Sequence, residues 1–110
     1  MKLITSAIQK KLDANFKKVS ATGESIPAVL KLFVCVGSSM TWLITDIDPN
    51  GDTMMGLCDI GMGYCEYGSI SLSELKQTFG WKLERDMYFK EGTVEHFREY
   101  YEENKTLCGC

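Results

Sequence analysis

Apolar residues recur every fourth position near the start of the chain, at Ile4, Ile8, Leu12 and Phe16, while Lys10, Lys11, Lys17 and Lys18 lie off that stripe. That period is helical. It predicts a helix over 6–19, opened by a capping box of Ser6 with Gln9 three residues later. Residues 20–27 are small and polar, end at Pro27 and read as a loop. The period then changes. Ala28–Val36 is rich in Val, Leu and Phe, and Met40–Ile47 sets Trp42, Ile44 and Asp46 against Leu43, Thr45 and Ile47. Thr53–Ile60 and Tyr64–Ile70 are shorter runs of the same kind. The breaks between these four strand candidates are Gly37-Ser38-Ser39, Pro49-Asn50-Gly51-Asp52 and Gly61-Met62-Gly63, all of hairpin length. Connections this short force antiparallel neighbours, so the middle of the chain reads as a meander.

The second helix carries the clearest local signal. Ser71-Leu72-Ser73-Glu74 is a capping box, Leu72, Leu75 and Phe79 share a face, and Gly80 stands where the helix should stop. Trp81–Phe89 then reads as a fifth strand, with Leu83, Met87 and Phe89 on one side and Glu84, Asp86 and Tyr88 on the other. A last helix opens after Gly92 with Thr93 as its N-cap and Val94, Phe97 and Tyr101 on one face. The expected fold is α+β: an antiparallel sheet of about five strands packed with three helices. It forms a single domain over 1–105, followed by a flexible Cys-containing tail at 106–110.

Composition narrows the class. The chain has 110 residues, 45% of them hydrophobic and 25% charged, which suits one globular core and excludes disordered, collagenous and coiled-coil classes. The N-terminal apolar stretch is too short and broken for a signal peptide, and nothing approaches the roughly 18 apolar residues of a membrane span. A cytoplasmic address without a membrane partner is expected, and five cysteines would be reduced thiols there.

Charge is distributed unevenly. Residues 1–31 carry +4, residues 32–75 carry −6 with no Lys or Arg, and residues 76–110 carry −1, for a net −3. Five of the six acids of the middle segment, Asp46, Asp48, Asp52, Asp59 and Glu66, therefore suggest an acidic face that meets a partner protein with a basic surface. The net charge argues against direct nucleic-acid binding.

Three stretches also carry a resemblance: Thr41-Trp42-Leu43-Ile44-Thr45-Asp46-Ile47-Asp48-Pro49, then Glu66-Tyr67-Gly68-Ser69-Ile70-Ser71-Leu72-Ser73-Glu74-Leu75, then Leu83-Glu84-Arg85-Asp86-Met87-Tyr88-Phe89. In that order and spacing the chain resembles a family of bacterial single-domain proteins of unknown function. These are often carried by plasmids, integrative elements and phages. The likeness covers roughly residues 1–90. It implies a mobile-element context rather than an activity, and it supplies no catalytic residue to carry over; together with the acidic face it leads to the expectation of a non-enzymatic accessory protein that binds a host macromolecule.

The residues themselves offer few chemical constellations. Asp46-Ile47-Asp48-Pro49-Asn50-Gly51-Asp52 imitates the start of a calcium loop, yet position twelve is Leu57 and Pro49 interrupts it. A polar hairpin turn explains the same residues. Cys58/Cys65 and Cys108/Cys110 lack paired zinc spacing, and His96 is the single histidine. No catalytic set, metal site or cofactor is expected. Cys35 and Cys58 read as small hydrophobes in strands. Arg85 falls in phase with Leu83 and Met87 and so requires a buried partner such as Asp46 or Glu66. Alternatively, Arg85 anchors an anion-binding cleft with Glu84, Asp86, Tyr88 and Trp42 around it. A cryptic metal-dependent enzyme using Asp46, Asp48 and Asp52 is a third reading.

Overall fold

The computed structural model describes residues 2–22, 26–34 and 40–110. Cys35, the end of the first strand candidate at Val36, the Gly37-Ser38-Ser39 turn and residues 23–25 of the first loop lie outside the described residues.

Helix α1 (Ser6–Thr22) opens one residue earlier than the capping-box reading. Thr5 is the cap: its Oγ1 accepts from the Ile8 N–H at 3.2 Å, and its carbonyl accepts from the Gln9 N–H at 2.8 Å. The Gln9 side chain instead donates to Asp13 one turn on, at 3.0 Å. Five strands follow the expected meander and its closing edge: β2 (Leu30–Val34), β3 (Thr41–Ile47), β4 (Thr53–Asp59), β5 (Glu66–Ser71) and β6 (Leu83–Arg85). They pair antiparallel in the order β5-β4-β3-β2-β6. A separate pair joins β1 (Pro27–Ala28) to β7 (Gly92–Thr93). Helix α2 (Leu72–Phe79) precedes a 3₁₀ turn at Gly80–Lys82, and α3 (Val94–Asn104) follows β7. The fold class is α+β.

Register divides the sheet into two faces. Leu32, Trp42 and Cys58 lie opposite one another, and so do Lys31, Leu43, Leu57 and Tyr67 on the other side. The first face carries Leu30, Leu32, Trp42, Ile44, Ile47, Met54 and Ile70, and these pack with Leu12 of α1 and with Leu72 and Leu75 of α2. The second face carries Leu43 and Leu57, covered by Phe97 and Tyr101 of α3 and by Leu107. Both faces are therefore dry over β3, every residue of which is buried, while most of β5 at the edge stays open to solvent.

A strand covered on both faces has nowhere simple to place an aspartate. The chain solves this with a bulge: the register of β3 on β4 slips between Ile44 and Asp46, leaving Thr45 as the extra residue. The slip moves Ile47 onto the face of Trp42 and Ile44. Asp46, which strict alternation would place there, moves to the opposite face beside Thr45. Asn15 of α1 reaches across and donates to the Thr45 carbonyl at 2.9 Å. Across the bulge, Gly56 lies so close that a Cβ there would stand 2.2 Å from the Leu43 carbonyl oxygen.

Two expectations need correction. Trp81–Phe89 is not a nine-residue strand. Its ladder ends at Arg85, because Asp86 turns the chain by accepting from the Tyr88 N–H at 2.8 Å. Met87 and Tyr88 are exposed beyond it, and Phe89 stacks on Phe97. Nor do residues 106–110 hang free. Leu107 is completely buried, and the Asp59 carboxylate accepts its N–H at 3.0 Å. Lys31, 3% exposed, donates from Nζ to the backbone oxygens of Cys108 at 2.7 Å and Cys110 at 3.1 Å. A segment with one apolar residue gives no periodic signal, yet two buried charges on the sheet fasten it down.

Gly56→Ala should lower unfolding free energy by about 3 kcal/mol, the upper end of overpacking costs, since only backbone atoms could yield. Gly68→Ala, where nothing lies within 4 Å of the new Cβ, should leave the denaturation midpoint close to the parent. Equal midpoints for the two variants would contradict the bulge geometry. Leu107→Ala should cost about 2–5 kcal/mol, as for any fully buried leucine. A parental midpoint in urea would show the segment to be unpacked.

Candidate binding cleft

The sequence-predicted acids do not form one face. Asp46, 3% exposed, accepts from the Thr45 hydroxyl at 2.6 Å, and that hydroxyl is also 2.9 Å from the Tyr67 phenol. Burial, opposed by the Thr45 hydrogen bond and reinforced by Asp46, pushes the Tyr67 phenol above its ordinary value. Asp59, 2% exposed, is spent on holding residues 106 and 107. Asp52 caps α2: its carboxylate accepts from the Ser71 hydroxyl at 2.8 Å and from the Ser73 N–H at 2.7 Å. Those two bonds, the Ser71 one foremost, hold its carboxyl below the ordinary range. Asp48 stays in the β3–β4 turn, accepting from the Asn50 N–H, and Glu66 is exposed at the start of β5. The calcium-loop residues thus point three ways, and the turn closes through Asn50 and Gly51, whose φ is +77°. Among the described residues, no three of His, Cys, Asp or Glu gather as a metal-holding set.

The Arg85 reading also changes. Arg85 is half-buried at the sheet edge, and its Nε donates to the Lys2 carbonyl at 3.2 Å. Asp46 is committed elsewhere. Trp42 is buried against Phe79, with ring centroids 5.6 Å apart, so it does not rim a cleft. Asp86 pairs with Lys31 at 3.5 Å, and Tyr88 stands 90% exposed. The buried cation that the strand pattern placed at Arg85 is Lys31 on β2.

What the structure does assemble is a cleft of about 720 Å³ beside that edge. Its floor is Leu3, Ile4, Leu72 and Leu83, and its walls carry Lys2, Lys76, Glu84 and Trp81. Three local devices build it. The Ser71 and Asp52 caps fix where α2 begins. Gly80, at φ +54°, ends that helix in a conformation that side chains resist. The 3₁₀ turn then throws Trp81 outward, 76% exposed, with Lys82 Nζ 5.9 Å from the ring centroid. An indole this open is unusual, because so much apolar area is costly to leave in water. Pattern reading missed Trp81 by assigning it to a strand. The usable signal was Gly80, since a residue following a helix stop is free to face outward.

The thiols fall into different settings. Burial, then the charge of Glu66, pushes the Cys58 thiol up to about 11. Burial also raises Cys65, against the pull of Arg98, and Cys110, against the pull of Lys31. Cys108 is exposed. The thiolate is the nucleophile, so iodoacetamide at pH 8 should label Cys108 well before Cys58 in the folded protein, as read by peptide mass spectrometry. The sign for stability follows from a folded value above the ordinary 9.0. Cys58 contributes fully below pH 9, and that contribution is lost as pH rises toward 11. Cys58→Ala should flatten the alkaline limb of the stability profile. An unchanged limb, or Cys58 labelled first, would contradict the assignment.

No curated protein and no solved structure matches the chain. The model of one family, described as a protein of unknown function (DUF2958), matches residues 3–106. With nearly the whole chain matched, this protein is a member of the DUF2958 family.

Proposed function

We propose that this chain is a binding module that takes an acidic segment of another protein into the cleft beside Trp81. The observation that carries the reading is the exposed indole at the mouth of a cleft walled by Lys2 and Lys76. Tryptophan is the residue most enriched at the energetic centre of protein interfaces, where a wet aromatic becomes buried on contact. Lysines around it raise the association rate of an anionic partner and select its sign. Arg85 sits behind the site as a positioning residue, holding the Lys2 backbone. The anion-binding idea thus shifts from Arg85 to the lysines in front of it. The partner's sign is the reverse of that expected from an acidic face, since two of the five acids are buried and a third caps a helix. In the mobile-element setting that the resemblance implies, the partner would be a host protein.

Capture from a cell lysate tests this with three baits: the parent, Trp81→Ala, and the Lys2→Glu, Lys76→Glu double variant. All three residues lie at the surface of the cleft, so each bait should melt like the parent. Proteins held by the parent should be lost from both variants, and their retention should fall as salt rises, because exposed charges are screened. Equal capture by all three baits would overturn the reading.

A further inference from the structure

The cleft does not end at Gln9 and Gly51. Both residues also line a second cleft of about 420 Å³, whose floor is Phe16, Ile47 and Pro49 and whose rim carries Asp13, Asp48 and Lys17. The two clefts therefore adjoin along α1, with opposite charge at their far ends. Lys2 and Lys76 stand at the Trp81 end against Glu84, while two aspartates stand at the far end against Lys17. An α-helix advances 1.5 Å per residue, so the eight residues from Gln9 to Lys17 carry the groove about 12 Å beyond the first cleft.

We infer that the two clefts together bind an extended peptide of mixed charge: an acidic residue beside Trp81 in the first, and in the second apolar side chains over Phe16, Ile47 and Pro49 with a basic residue at Asp13 and Asp48. This rests on the binding-module reading above and names the partner's chemistry. A two-signed groove selects a two-signed ligand. A nucleic-acid strand carries one sign throughout and meets repulsion at the aspartate end. A small anion fills the first cleft and leaves the apolar floor of the second wet. The far carboxylates are already positioned. Asp13 accepts from Gln9 at 3.0 Å and Asp48 from the Asn50 N–H at 2.9 Å, which fixes each side chain while leaving acceptor capacity for a cation.

Three immobilised dodecapeptide libraries test it. One places paired Glu before paired Lys with the spacing between them varied, one reverses that order, and one carries Glu at both sites. Binding is read by fluorescence anisotropy of recovered peptides against the parent, Trp81→Ala, and the Asp13→Asn, Asp48→Asn double variant. Asparagine keeps the Oδ1 acceptor used by Gln9 and Asn50, so this variant should fold. The best mixed-charge peptide should bind the parent at least tenfold more tightly than the best all-acidic one. The double asparagine variant should erase that preference, and Trp81→Ala should weaken both peptides. All-acidic peptides that bind equally well, with no effect of the asparagines, would overturn the extended groove while leaving the Trp81 cleft standing. Failure of every library to bind, or binding indifferent to Trp81→Ala, would overturn both.

Discussion

A central strand covered on both faces forces the other choices in this fold. Once α1 and α2 lie over one side of β3 and α3 with Leu107 over the other, no residue of that strand can reach water. Each polar group it carries must then be satisfied within the protein, because an unmet buried donor or acceptor costs about 1–3 kcal/mol. The consequences spread outward from Asp46. The bulge takes the carboxylate off the Trp42 face, Thr45 supplies its hydroxyl, Asn15 covers the Thr45 carbonyl, and Gly56 makes room. Among the described residues no buried side-chain polar atom is left without a partner.

The same constraint explains what was readable along the chain. The α1 stripe, the meander and the α2 cap depend on local period and turn chemistry, which neighbouring residues express directly. Strict alternation failed at Asp46 because a bulge is decided by what covers each face, and no run of seven residues encodes that. Arg85 and Lys31 show the difference in another way. Both fall inside apolar runs, and period alone gives them equal claim to burial. The 106–110 segment chooses Lys31, and that choice is made across the sheet rather than along it. Family resemblance was legible from three stretches, and it supplied membership without chemistry.

The candidate cleft was the least legible part because it is made of terminations. Its walls come from the approach to α1, the end of α2 and the first residues of β6. Loops placed by a rigid scaffold commonly carry binding surfaces for this reason. The acids that dominate the middle of the sequence are mostly consumed by structure: one in the bulge, one under the C-terminal segment and one at a helix start. A count of charges along a chain cannot distinguish a carboxylate that faces solvent from one that replaces a missing backbone partner.

The Lys31 contact also sets an order in time. Its partner carbonyl at Cys108 lies 77 residues later in the chain. A ribosome adds about 5–20 residues per second, so β2 emerges some 4–15 s before the group that closes over its ammonium. Until the last residues are made, the Lys31 ammonium has no Cys108 or Cys110 oxygen to meet and keeps its water. Closing the sheet over this lysine is therefore tied to the completion of the chain.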